Sequence, residues 1–189
     1  MSIKWICAAV AVGTLLVGPT ARAAASFSDV SAQAGVERRG ESYGASWGDL
    51  NGDGYPDLYA SNHRQQDSLY LNRGNGTFVD VANQVPTWRN KPNADTHGAS
   101  WADIDNDGDQ DLLVSSGTGN LSQLLFNQNR NLVNLTKERG LTTTNLGGRL
   151  PVWLDYDGDK LIDLVMTQFG GIAKLYRQGP VGFFTETTT

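Results

Sequence analysis

Three short stretches crowd oxygen-bearing side chains into nine positions each: "DLNGDGYPD" at 49–57, "DIDNDGDQD" at 103–111 and "DYDGDKLID" at 155–163. Counted from the first aspartate, side-chain oxygens fall at positions 1, 3, 5 and 9. These are Asp49, Asn51, Asp53 and Asp57; Asp103, Asp105, Asp107 and Asp111; and Asp155, Asp157, Asp159 and Asp163. A backbone carbonyl at position 7, from Tyr55, Asp109 or Leu161, adds a further oxygen. Carboxylates this close repel unless a cation lies between them. Ca²⁺ takes 6–8 hard oxygens at roughly 2.3–2.6 Å and tolerates irregular geometry, whereas Mg²⁺ demands a stricter octahedron. Cysteine and histidine are absent from the loops, which argues against zinc or copper there. The expectation is up to three calcium ions; metal-free Asx-turns with solvated acids are the alternative.

The loops are not EF-hands. That motif needs glutamate at position 12, where this chain has Ala60, Val114 and Met166. Position 6 asks for a left-handed backbone, which Gly54 and Gly108 supply. Lys160 stands there in the third loop, so the first two loops are expected to hold metal more tightly.

The elements that carry the loops repeat as well. "GASWGDLNGDGYPDLYAS", "GASWADIDNDGDQDLLVS" and "RLPVWLDYDGDKLIDLVMT" align, with leading aspartates 54 and 52 residues apart. A fixed period of this size signals stacked supersecondary units. Each unit reads as about four short strands, which predicts an all-β fold: a β-propeller of four-stranded blades. A parallel β-solenoid is the structural rival. The repeats span about 44–83, 98–137 and 149–188. "NLTKERGL" is the one stretch with a weak helical pattern. "SFSDVSAQAGV" resembles "TFVDVANQV", so residues 26–36 are expected to form an outer strand without a blade of its own. Three blades are fewer than the 4–8 of typical propellers, which predicts an incomplete ring: the front part of a longer propeller, or a ring shared by several chains.

The 189-residue chain opens with an apolar run at 5–18 followed by small residues. This reads as a signal peptide over 1–23, with an uncleaved anchor as the alternative. The run is too short to span a bilayer as a helix, so no membrane span is expected after cleavage. Cleavage would remove the one cysteine and two of 15 basic residues, leaving 13 against 20 acids, or a net charge of −7. An acidic exported protein does not suit nucleic acid. Secretion, to the extracellular space or a periplasm, is expected.

With period and loop together, the chain resembles the FG-GAP/VCBS family of calcium-binding β-propeller repeats, found in integrin α-subunit heads and many secreted bacterial proteins. The pattern "LYLNRGNGTFVDVA", with "FSDVSAQAGV", most resembles the cartilage acidic protein and ASPIC/UnbV-type branch. The resemblance implies a propeller whose Asp/Asn positions bind calcium, serving adhesion or the binding of a protein or glycan. Trp47, Trp101 and Trp153 each precede a leading aspartate by two residues and are expected to pack between blades. Trp88, in the long connection after the first unit, is a candidate for stacking on a ligand. His63 and His97 are placed in loops, and no spacing supports a catalytic pairing. A non-catalytic binding module is therefore expected. The alternative is a propeller that carries or supports an enzyme acting on polysaccharide. Open blade edges are expected to favour self-association.

Overall fold

The computed structural model describes residues 25–85, 95–117, 122–141 and 147–188. The leader at 1–23 and Trp88 lie outside them. Twelve strands form three four-stranded antiparallel sheets. The first holds β1 (Ala45–Gly48), β2 (Asp57–Ala60), β3 (Ser68–Asn72) and β4 (Phe78–Asp80), paired in that order. The second holds β5 (Thr96–Ala102), β6 (Asp111–Ser116), β7 (Gln123–Asn127) and β8 (Leu132–Asn134). The third holds β9 (Gly148–Leu154), β10 (Asp163–Gln168), β11 (Lys174–Gly179) and β12 (Phe183–Glu186). Each sheet is an antiparallel meander, which excludes a parallel solenoid and makes each repeat a propeller blade. The blades form an arc: β1 adjoins β5, and β5 adjoins β9.

Small residues permit this stacking. Residues Gly44, Ser46 and Gly48 of blade one face β5. A Cβ on Gly48 would lie 2.3 Å from the Trp101 ring, and one on Gly98 would lie 2.2 Å from the Arg149 carbonyl oxygen. Trp101 and Trp153 therefore lie over the preceding blade, each packed against an apolar core, with Trp153 Nε1 donating to the Ser100 carbonyl at 3.4 Å. The expectation of packing between blades fails for Trp47. It is 58% exposed and touches only the Phe78 ring among the aromatic side chains described. No described sheet precedes it to supply the glycine-lined surface that its counterparts cover.

Two cores lie between the blades. Tyr59, Leu69, Leu112 and Leu125 anchor one, and Leu113, Leu124, Leu164 and Tyr176 the other. The fully buried β6 lies between them and gives Leu112 and Val114 to one and Leu113 to the other, as a strand covered on both sides does.

The expected outer strand at 26–36 is not formed. Residues 25–30 pair with no strand, and α1 (Ser31–Ala34) is a single helical turn closed by left-handed Gly35. The likeness to the first unit lies in this turn. Asp29, Asp80 and Asn134 each accept the N–H two residues on, at 2.9, 3.0 and 3.1 Å, and each starts a short helical turn. "NLTKERGL" provides the third, where the Arg139 N–H reaches the Leu135 carbonyl. These are Asx-turns, and a strand read across one overextends.

Candidate functional site

Each blade's inner strand runs straight into its acidic loop, and the loop returns into the second strand. The paired registers Gly48–Asp57, Ala102–Asp111 and Leu154–Asp163 close all three loops in the same way. Within each loop the carboxylates first satisfy backbone donors. Asp49 accepts the N–H groups of Gly52, Asp53 and Gly54; Asp103 accepts Asp107 and Gly108; Asp155 accepts Gly158 and Lys160. The position-5 aspartates Asp53, Asp107 and Asp159 each receive the N–H of position 7, from Tyr55, Asp109 and Leu161, at 2.9 Å.

Position 9 has a second role that spacing does not reveal. Asp57, Asp111 and Asp163 are buried, and each clamps two backbone N–H groups. One belongs to loop position 2 (Leu50, Ile104, Tyr156) and the other to the third strand (Asn72, Asn127, Gln178). The residue that closes the loop therefore also ties it to the blade. Burial pushes the Asp111 carboxyl up to about 7 despite these two donors. Burial likewise raises Asp57, and burial with the Asp107 and Asp103 charges raises Asp105.

Oxygens of Asp103, Asp105 and Asp111 lie within 4.8 Å of one another, as do those of Asp155, Asp157 and Asp163. Asp107 and Asp159, at position 5, stand outside these groups. In loop one, Asn51 Nδ2 donates to Asp53 Oδ2 at 2.9 Å, so positions 3 and 5 meet. The donor set is all oxygen and negatively charged, which suits a hard divalent cation.

The third loop differs. Lys160 adopts φ 71°, matching Gly54 at 82° and Gly108 at 95°, so a residue with a Cβ holds the conformation that glycine favours. Arg177 was not foreseen. It takes the β11 position held by Leu71 in β3 and Phe126 in β7, and its guanidinium bridges Asp157 and Asp159. That contact, chiefly the Arg177 hydrogen bond, holds the Asp157 carboxyl below its ordinary range. The loop thus carries a cation of its own. The clue in the sequence was a charged residue where the other two units are apolar.

His97 lies in β5 rather than in a loop, while His63 is in the β2–β3 turn as expected. Both contact Asp95.

Comparison with known proteins agrees with this architecture. The family model described as "FG-GAP-like repeat" matches residues 49–114, from the start of the first loop into β6. Cartilage acidic protein 1 of Mus musculus and of Homo sapiens are each 32% identical over 91 residues, which is 48% of this chain and 14% of each relative. The match therefore spans about a seventh of those proteins. Residues 49–114 are thus similar to the FG-GAP-like repeat, and the third blade, entered through its own acidic loop, repeats the same architecture.

Proposed function

We propose that the chain is an exported, calcium-binding β-propeller module that binds a protein or glycan and has no catalytic role. The observation that carries the calcium reading is the register. Three loops share one strand register, and in two of them the carboxylates at positions 1, 3 and 9 bring oxygens within 4.8 Å of one another. The position-7 carbonyls of Tyr55, Asp109 and Leu161 complete the oxygen set. Bound calcium supplies the charge that lets these acids sit together, and so fixes the ends of the blades.

Support for export is the apolar leader at 5–18; no helix among the described residues is long and apolar enough to cross a membrane. Support for a binding role is the repeat family itself, whose propellers present loops on a rigid ring. Isothermal titration of chelator-stripped protein with Ca²⁺ tests the metal reading. At least two sites are expected, with Asp105→Asn removing one. Heats equal to those of buffer would refute it. Binding to glycan and protein arrays, with and without calcium, tests the second half.

A further inference from the structure

The chain has two histidines, and both meet one carboxylate between blades one and two, at the end of the strands opposite the acidic loops. His63 Nδ1 lies 2.6 Å and His97 Nε2 lies 2.8 Å from Asp95 Oδ1. These atoms all fall within 4.8 Å of one another. All three are buried, and none stands in hydrogen-bonding geometry with any described group. The His97 side chain is 9% exposed and that of His63 14%. Buried polar atoms are nearly always partnered, so three that converge without alignment call for something between them.

The surroundings are built to hold the arrangement. Asp67 accepts the Asn62 N–H at 2.8 Å and the Thr96 hydroxyl at 2.6 Å, which pins the turn bearing His63 to the strand bearing His97. The Glu41 carboxylate stands 4.0 Å from His63 Nε2, on the ring edge away from Asp95. The His63 backbone N–H donates to the Glu41 carbonyl at 2.7 Å, which fixes the turn and leaves Nδ1 directed at Asp95. The Tyr43 ring packs against both imidazoles, with centroids at 5.0 and 5.1 Å. Gly117 closes the far side, where a Cβ would lie 1.9 Å from Asp95 Oδ2 and 2.7 Å from His97 Nε2. Only glycine fits against this cluster.

We propose that His63, Asp95 and His97 bind one divalent ion of the zinc class. Two imidazole nitrogens and one carboxylate form a borderline donor set that suits Zn²⁺ or a neighbouring transition metal rather than Ca²⁺. Three protein ligands leave a position for water or an anion. Beside His97 lies a hollow of about 390 Å³, lined also by Tyr43, Arg149 and Phe169, where Arg149 supplies positive charge to an anionic ligand. This site is chemically separate from the all-oxygen loops and stands whether or not those loops take calcium.

The test uses the full chain in millimolar Ca²⁺, which occupies the oxygen sites. Titration with Zn²⁺ is followed by calorimetry, and titration with Co²⁺ by visible absorption. One equivalent is expected. His63→Ala and His97→Ala should each weaken it at least tenfold, while Asp105→Asn leaves it unchanged. Imidazole ¹⁵N signals of the unaltered protein give an independent reading, because only two histidines contribute. Zn²⁺ should shift both, and Ca²⁺ neither. Unmoved imidazole signals, or zinc binding that survives the double histidine variant, would overturn the assignment.

Discussion

The side-chain amide of Asn127 donates to the Leu50 carbonyl at 2.8 Å, joining the third strand of blade two to the acidic loop of blade one. Gln178 repeats the contact one blade on, donating to the Ile104 carbonyl at 2.9 Å. Asn127 and Gln178 are both buried. Asn72, the counterpart in blade one, turns back to Pro56 of its own blade in an exposed bond. One position therefore sets blade-to-blade geometry at the acidic-loop end. Asn127→Ala leaves a buried carbonyl without its donor, which costs about 1–3 kcal/mol. Asn72→Ala should cost much less. Urea denaturation of the two variants compares them, and equal losses would remove Asn127 from this role.

Asp111 makes metal-free stability depend on pH in an uncommon direction. Its folded carboxyl titrates near 7, against an ordinary value of 3.8. A group whose folded value is raised favours the folded state below its unfolded value, and that advantage is lost as pH rises through the folded one. The Asp105 and Asp107 charges facing it push the same way. In chelator, the melting temperature should thus fall between pH 4 and 7. Calcium removes the penalty, so its stabilising effect should grow over the same window. At 100 times the dissociation constant one bound ion adds about 2.7 kcal/mol. A calcium-induced shift that is constant from pH 5 to 8 would contradict this account.

Arg177 bridges Asp157 and Asp159 and is expected to compete with a metal ion at the third loop. Exposed ion pairs of this kind are individually weak, but Arg177 makes two of them within one loop. Arg177→Leu restores the residue type found at Leu71 and removes the competing charge. Calcium affinity at that loop should rise measurably. Calorimetry on a variant with the first two loops disabled by Asp49→Asn and Asp103→Asn isolates the site. Unchanged affinity would mean the guanidinium does not occupy the metal's place.

Much of this molecule was legible in advance because a repeat is read three times. Trp101, Gly108 and Asp111 fix strand, turn and loop by recurrence with their counterparts, so the four-stranded blades and the shared acidic register follow from spacing. What escaped depends on contacts between units. Trp47 carries the same motif as Trp101 but lacks a preceding sheet to cover. The position-9 aspartates read as metal ligands alone, because their N–H partners come from a strand about 15 residues further on. The joining of His63 with His97 needs one blade to dock on the next, and local sequence carries no sign of that. The outer strand read at 26–36 failed for a local reason: the Asx-turn at Asp29 leads the chain into the helical turn Ser31–Ala34.

Blade three departs from the small-residue rule that lets blades stack. Where blade two offers Gly98, Ser100 and Ala102 to its neighbour, β9 offers Leu150, Val152 and Leu154, which are 51%, 42% and 38% exposed. Phe169 and Ile172 are exposed as well, at 72% and 74%. A further blade cannot approach this face as closely as β9 approaches β5, because the larger side chains occupy the space that Gly98 leaves open. An apolar strip of this kind, beside the unpaired edge of a sheet, favours association. The chain lacking residues 1–23 should therefore self-associate in light scattering at micromolar concentration. Replacing Leu150, Val152 and Leu154 together with serine should shift it toward monomer. These side chains contribute little to the core, so the melting temperature should change by only a few degrees. A starting protein that is already monomeric, or a variant that stays equally associated, would show that this face is not the contact.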